Sequence, residues 1–172
     1  MLELIRLFTQ IALLRRGPQD LPASRLLLAM TVVGYVGVNA LVSSVLPPDP
    51  HWQRPLVIDT AFMLLWYTVL LTLAGRPERF VQTTAAVFGF QTVLAPLMIG
   101  AEWLIRRVGE DATWQLPLTG VGLLLFAWLI AANSHVVKAA LGWSASASAA
   151  LVILQMLVGW LVGFALFPPG KA

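Results

Sequence analysis

The chain has 172 residues, of which 59% are hydrophobic and 11% are charged, and its formal net charge is +3. Soluble domains usually carry about 25% charged residues, so this composition predicts an integral membrane protein. The absence of cysteine excludes disulfides, cysteine-based metal sites and thiol nucleophiles within this sequence. The arginines flank apolar runs and do not alternate with aromatic residues on a basic surface, so nucleic acid is not an expected partner.

Residues 1–24 are predicted to be a short amphipathic segment that precedes the membrane domain and lies at the cytoplasmic membrane interface. On a helical projection, apolar residues such as Leu4 and Phe8 gather on one side, and polar residues such as Arg6 and Gln10 gather on the other. Such a helix is typical of segments that rest in the headgroup region. Packing against the protein's own helices is an alternative that stays open. For an interfacial helix, we expect deletion of the segment to leave a stable, inserted protein.

Residues 25–172 are predicted to form a single all-α domain of five transmembrane helices. Each apolar run matches the roughly 20 residues that a helix needs to cross ~30 Å of hydrocarbon. A hairpin of the second and third spans organises the domain, because its link at residues 75–79 is too short to cross the bilayer again. The expected spans are residues 26–46, 56–75, 80–101, 116–137 and 145–167.

The distribution of basic residues predicts a cytoplasmic N-terminus and an outer C-terminus. With five spans, seven of the 11 Lys and Arg residues fall on the side of the N-terminus and four fall on the other side. Basic residues that flank spans concentrate on the cytoplasmic side of membranes. Trp52, Trp103 and Trp114 fall at the outer ends of spans, as in an aromatic belt. We therefore expect a multi-pass protein of a bacterial inner membrane.

Asp59 is the leading candidate for a functional residue, because it is the only charge in the second span. A carboxylate at such a depth costs a few kcal/mol and is normally paired or turned toward the bundle interior. Asn39 and Ser43 in the first span reach a similar depth, and Arg54 and Glu102 lie at the same end of the bundle. These five residues form the predicted polar cluster.

Two interpretations of Asp59 remain open. In the functional one, the cluster is a proton or ligand site that opens to the outer face. In the structural one, the carboxylate lies near a helix N-terminus and reaches water or bonds to Ser43. The structural interpretation is favoured, because an Asp in a first helical turn is common.

Single amide side chains lie inside three of the predicted spans. Gln82 and Gln91 belong to the third span, Asn133 to the fourth and Gln155 to the fifth. Isolated amides are typical of interhelical hydrogen bonds, which are worth ~1 kcal/mol or less in membranes. A polar permeation path is the alternative.

Two pairs of small residues predict close helix packing. Gly159 and Gly163 form a GxxxG pattern in the fifth span, which allows two backbones to approach closely. Ala85 and Gly89 form a weaker version of the pattern in the third span. Packing within the bundle is favoured over a dimer interface.

The sequence contains no metal-ligand pair, no phosphate-binding loop and no paired carboxylates at catalytic spacing. Residues 142–146 begin like a nucleophile motif around Ser144 but lack its final glycine. Ser144 is better explained as the N-cap of the fifth span. We therefore expect no enzymatic activity, no metal and no cofactor.

The layout of a cytoplasmic N-terminal segment, five closely spaced spans and a short outer C-terminus resembles the Yip family of Ypt-interacting, five-span membrane proteins. The resemblance covers Leu26 to Phe167 as a layout. The family's Asp-Leu-Tyr-Gly-Pro signature is absent, and residues 17–22 do not replace it. The resemblance implies a scaffolding or trafficking role, and it assigns no functional residue to this chain.

The sequence therefore predicts a non-enzymatic membrane protein that acts as a scaffold or as an assembly or regulatory factor. Its expected partners are membrane lipids and another membrane protein or a second copy of itself. The alternative is a small transporter or channel subunit with a polar site around Asp59. The two functions differ in whether Asp59, Gln82 and Gln155 line a cavity or are packed shut.

Overall fold

The structure, a computed structural model, describes residues 2–45, 52–108 and 112–167, except for the side chains of residues 43–45 and 112. Within these ranges the chain forms six α-helices and two short 3-10 turns, and it contains no strand. Five helices are long and apolar enough to cross a membrane. The predicted all-α membrane fold, with a short helix ahead of five spans, is confirmed. The helices are α1 (Leu2–Ala12), α2 (Arg25–Val45), α3 (Gln53–Leu73), α4 (Phe80–Val108), α5 (Ala112–Leu141) and α6 (Ala145–Leu166).

Two spanning helices are longer than the sequence predicts. Helix α4 continues to Val108 instead of ending at residue 101, and α5 begins at Ala112 instead of residue 116. The extension of α4 is polar, and its Glu102 and Arg106 side chains form an ion pair at 2.6 Å, one helical turn apart. Such pairs stabilise a helix beyond the apolar run that predicts it.

Two tight turns lie at the same end of the bundle, which we call the turn end. Gly75 lies between α3 and α4, Gly142 lies between α5 and α6, and both have positive φ angles, 69° and 71°. Glycine favours this left-handed conformation where a helix ends. The opposite end, where α2 leads to α3 and α4 leads to α5, is called the loop end.

Two arginines fasten these turns to each other. Arg76 donates to the carbonyl oxygen of Ala140 at 3.3 Å, and Arg79 donates to the oxygens of Ala139 and Ala140 at 3.0 and 2.9 Å. The last carbonyls of a helix have no partner within that helix. The arginines therefore satisfy acceptors that would be costly to leave unpaired in a membrane, and they join the α3–α4 hairpin to the end of α5.

Helix α1 packs against α4 and α5. Its Phe8, Ile11 and Ala12 are buried, and the Phe8 ring occupies the place that a side chain on Gly89 would fill. The indole N–H of Trp128 donates to the carbonyl oxygen of Ala12 at 2.8 Å. Of the two interpretations of this segment, packing on the protein's own helices is the one that the structure contains. Helix α4 thus covers part of the apolar side of α1, whereas Ile5 stays 50% exposed.

The segment between α1 and α2 continues this packing toward the turn end. The amide of Gln82 donates to the carbonyl oxygen of Leu21 at 2.6 Å, and Nε2 of His135 lies 3.0 Å from the carbonyl oxygen of Arg16. Gln82 therefore ties the N-terminal segment to α4. It does not belong to a path through the bundle interior.

As a result, the half of the bundle near the turn end is the more densely packed, and we call it the solid half, although a smaller cavity of about 200 Å³ lies there between the N-terminal segment, α4 and α5. Every residue of α4 from Thr83 to Phe90 is buried, whereas none from Gln91 to Val108 is buried. Helix α5 follows the same trend, because most of its buried residues lie between Ala132 and Leu141. The hydrophobic core therefore occupies the turn-end half, and the five spans enclose open space in the loop-end half.

Candidate functional site

A cavity of about 570 Å³ lies among all five spanning helices in the loop-end half. Cavities that hold small ligands in proteins usually measure roughly 300–1,000 Å³. Most of the lining is apolar. Helices α4, α5 and α6 each contribute one amide, whereas α2 contributes a hydroxyl and α3 contributes a carboxylate. These polar residues are Tyr35, Asp59, Gln91, Asn133 and Gln155. We call this space the Asp59 cavity.

Asp59 is held by a residue that sequence reasoning did not identify. The Tyr35 hydroxyl of α2 donates to Oδ2 of Asp59 on α3 at 2.7 Å. The Tyr35 ring is itself fixed by an edge-on contact with Phe88, with 5.0 Å between the ring centroids. A signal for this pair existed in the sequence. Helices α2 and α3 are antiparallel neighbours, and Tyr35 is the first span's only tyrosine, on the same side as Asn39 one turn later.

No basic side chain compensates the Asp59 carboxylate within the described residues. The ion pairs there are Arg16 with Asp20 and Arg106 with Glu102. Arg54, which the sequence suggested as a partner, is exposed and forms neither an ion pair nor a hydrogen bond in that part of the chain. Asp59 is therefore a single carboxylate inside a span, with one tyrosine hydroxyl as its partner.

The structure does not bring the other members of the predicted polar cluster to Asp59. Asn39 donates to the Tyr35 carbonyl oxygen of its own helix at 2.8 Å, and Glu102 pairs with Arg106 on α4. Ser43 lies in α2, but its side chain is outside the described residues. Helix geometry explains the separation, because equal depth in a membrane does not place side chains on facing sides of their helices.

Asn39 and Glu102 instead line a second cavity of about 450 Å³, between α2, α4 and α5. We call it the Glu102 cavity. The two cavities share three lining residues, namely Tyr35, Gln91 and Leu129. These three side chains therefore form the partition between the two spaces.

One of the amides that line the Asp59 cavity retains unused hydrogen-bonding capacity. Asn133 is 4% exposed and donates to the Leu129 carbonyl oxygen, but its Oδ1 atom has no partner in the described chain. Gln155 donates to the Met63 sulfur at 3.3 Å and also interacts with the Tyr67 hydroxyl, so Asn133 is the amide of this wall with an unsatisfied atom. Buried polar groups in native proteins are usually satisfied, so Asn133 is suited to water or to a ligand in the cavity.

The glycines of the GxxxG pattern also line the Asp59 cavity. A Cβ atom on Gly159 would lie 3.1 Å from the Phe62 ring, whereas one on Gly163 would have no neighbour within 4 Å. The structure therefore does not place Gly163 against another helix, and the missing side chain leaves open space. The close approach occurs at Gly89, against Phe8, beside the fully buried Ala85.

The described residues contain no group of three His, Asp or Glu side chains that could hold a metal ion. Ser144 caps α6 by accepting from the amide of Ala147 at 3.2 Å. Nε2 of His135 contacts the Arg16 carbonyl oxygen. The two residues thus serve different local contacts and do not form a nucleophile–base pair with each other.

Comparisons with protein-family models, with curated proteins and with solved structures found no match. The resemblance to the Yip layout thus stays a prediction from the sequence. The inference of function rests on the geometry of the bundle itself.

Proposed function

We propose that this multi-pass membrane protein is a small transporter or transport subunit that binds a small molecule in the Asp59 cavity. The observation that carries the proposal is the placement of Asp59 and Gln155 on the wall of one cavity between all five spans. This is the arrangement that distinguishes a transport function from a packed scaffold. Gln82 is packed elsewhere, so the polar site consists of the other two residues and their neighbours.

Energetics also favour a binding role. A carboxylate within a span and an amide with an unmet hydrogen bond each cost free energy in a low-dielectric environment. A space of this size also forgoes the packing that stabilises a bundle. A scaffold gains nothing from these costs, whereas a ligand site requires them. The scaffold role, with a second membrane protein or a second copy as partner, stays a prediction.

The two adjoining cavities offer a route for such a molecule through the loop-end half. The partition of Tyr35, Gln91 and Leu129 separates them, and the solid packing around Phe8 closes the turn end. In this proposal the protein is closed at the turn end and accessible from the loop end. If the N-terminus is cytoplasmic, as the basic residues indicate, the accessible side is the outer face of a bacterial inner membrane.

Thiol labelling tests whether the Asp59 cavity is accessible to water. The chain has no cysteine, so an introduced cysteine is its only thiol. Gly163→Cys lines the cavity and adds a side chain into open space, and we expect a charged, water-soluble methanethiosulfonate reagent to label it.

Two control variants make the labelling result specific. Ala85→Cys lies in the solid half, where the native residue is 0% exposed, and Leu161→Cys lies on an exposed side of α6 outside the cavity, where we expect lipid. Neither thiol should react with the same reagent. If Gly163→Cys is as unreactive as Ala85→Cys, the cavity is closed to water and the transport proposal is wrong.

A further inference from the structure

The chemistry of the cavity wall identifies the class of ligand. Among the described residues that line the Asp59 cavity, Asp59 is the only charged side chain, and none is Lys, Arg or His. Its Oδ2 atom accepts from Tyr35, and its carboxylate is exposed where the cavity opens to the surface. A cation in the cavity would therefore compensate a charge that the protein leaves unbalanced.

Aromatic rings form much of the remaining wall. Trp160 and Phe164 contact each other edge to face, with 4.7 Å between their ring centroids. A cation close to an aromatic face is attracted by the ring quadrupole, most strongly for tryptophan and when water is excluded. The aromatic residues of the lining are Tyr35, Phe62, Trp160, Phe164 and Phe167.

The same wall does not suit a bare metal cation. Calcium takes 6–8 oxygen ligands, and magnesium keeps several waters in an octahedral site. The Asp59 cavity offers one carboxylate, one phenol and three amide side chains across five helices, among mostly apolar neighbours. Such a wall matches a cation whose charge is surrounded by apolar groups.

We propose that the Asp59 cavity binds a lipophilic organic cation, of the quaternary ammonium or phosphonium type, with the Asp59 carboxylate as counter-ion and the aromatic side chains around its apolar groups. This inference rests on the proposed binding function and adds the charge and character of the ligand. Tyr35 is a positioning residue, because its hydroxyl fixes the carboxylate that faces the cavity.

Three probes of similar shape and different charge test the proposal. Equilibrium binding of tetraphenylphosphonium, neutral triphenylphosphine oxide and tetraphenylborate is measured on the full chain in detergent. We expect the cation to bind at least about tenfold more tightly than the neutral probe and the anion to bind weakest. Equal binding of all three probes, or preference for the anion, would overturn the inference.

Substitutions separate the cavity from non-specific uptake into the micelle. Asp59→Asn keeps the size of the side chain and an oxygen that can accept from Tyr35, and we expect it to lose at least about tenfold in cation affinity. Glu78→Gln is its matched control, because Glu78 is exposed and lines neither cavity. If both variants bind the cation like the native chain, Asp59 is not the counter-ion.

A second pair of variants tests the aromatic wall. Trp160 and Trp103 are both exposed, 65% and 45%, but only Trp160 lines the cavity, so Trp160→Leu tests the lining and Trp103→Leu is its control. Only the first should weaken cation binding, by several-fold, while the neutral probe changes less. An equal loss for both probes would show that Trp160 contributes apolar area and no cation contact.

Failure of the inference differs from failure of the proposed function. If Gly163→Cys is labelled and the neutral probe protects it as well as the cation does, the cavity binds ligands and only their charge class is wrong. If Gly163→Cys is not labelled and no probe binds, the binding function itself is wrong. Because the charge series uses the native chain, the result does not depend on the folding of any variant.

Discussion

The two halves of this bundle use the same helices in opposite ways. Near the turn end, α1 packs against α4 and α5 and Gln82 bonds to Leu21, although the buried polar atoms of Thr83 and Thr84 have no partner in the described chain. Toward the loop end, the described residues leave a cavity that Asp59 and Gln155 line. The difference shows that burial in this protein depends on the short N-terminal helix more than on the hydropathy of the spans.

The solid half is also where the arginines act. Arg76 and Arg79 donate to the last carbonyls of α5, so these residues, which the orientation argument counts as flanking charges, also hold the fold together. In the loop-end half, Arg54 lies exposed, and Arg106 pairs only along its own helix. Charges in the two halves therefore differ in function, although the sequence alone presents them alike.

Two glycines provide the strongest test of this comparison. Gly89→Leu places a side chain where the Phe8 ring lies, and we expect it to lower the free energy of unfolding by about 3 kcal/mol through overpacking. Gly163→Leu enters open space, so stability should stay unchanged or rise by up to about 1 kcal/mol, because glycine is a poor helix former.

Thermal unfolding in detergent measures both effects, and ligand binding supplies the second readout. Gly163→Leu narrows the Asp59 cavity and should weaken binding while the protein remains stable. Equal stability losses for the two variants would contradict the division into a solid and a hollow half. Phe8, Ile11 and Ala12 belong to the core, so the same unfolding measurement on a chain without the N-terminal segment tests the prediction that its deletion is tolerated.

Arg79 should have the next largest effect on stability. Arg79→Gln removes a charged donor from two carbonyl oxygens, and hydrogen bonds to charged groups contribute about 1.5–3 kcal/mol each. We expect a loss of about 2 kcal/mol, since part of it is recovered by water at the bundle end. Arg54→Gln is the control and should leave the unfolding temperature within error of the native value. An unchanged unfolding temperature in Arg79→Gln would show that the turn end is stable without these two hydrogen bonds.

Two amides, one bonded to the N-terminal segment and one on the wall of the Asp59 cavity, should respond in opposite directions. Gln82→Leu breaks the bond to the Leu21 carbonyl oxygen and should lower stability by about 1 kcal/mol. Asn133→Leu removes a buried oxygen that has no partner in the described chain and should raise stability by about 1 kcal/mol. Denaturant unfolding checks both values. A loss of stability in Asn133→Leu would mean that Asn133 is satisfied in the folded protein.

The spans could be predicted from sequence because the cost of burying charge in hydrocarbon leaves a local pattern. The contacts between helices leave a much weaker pattern, such as the single tyrosine of the first span. The sequence contains Gly89 and Gly163 as equivalent small residues, but only the fold shows that Phe8 faces the first and open space faces the second. Likewise, the depth of Asp59 follows from counting residues, whereas its bond to Tyr35 depends on the rotation of two helices. The depth of a residue within a span could be predicted from the sequence, whereas the direction in which its side chain faces could not.

The smallest expected effect concerns Leu14, directly after α1. Leu14 has a φ angle of 61°, in the left-handed region that costs a non-glycine residue roughly 1 kcal/mol or more. The amide of Arg15 bonds to the Gln10 carbonyl oxygen at 2.9 Å, which closes α1 in the manner that usually requires glycine. The packing of α1 in the solid half therefore holds the backbone in a conformation that its own sequence disfavours.

Leu14→Gly should relieve this strain and raise the free energy of unfolding by about 0.5–1 kcal/mol. Leu13→Gly is the matched control, because Leu13 has a similar exposed fraction, 44% against 42%, and no positive φ. Leu13→Gly should lower stability slightly, because glycine increases the entropy of the unfolded chain and relieves no strain in the folded one. Denaturant titration of the two variants in detergent measures both changes in the free energy of unfolding. If both glycine variants lower the free energy of unfolding equally, the backbone at Leu14 is not strained. The packing of α1 against α4 then does not hold it in a disfavoured conformation.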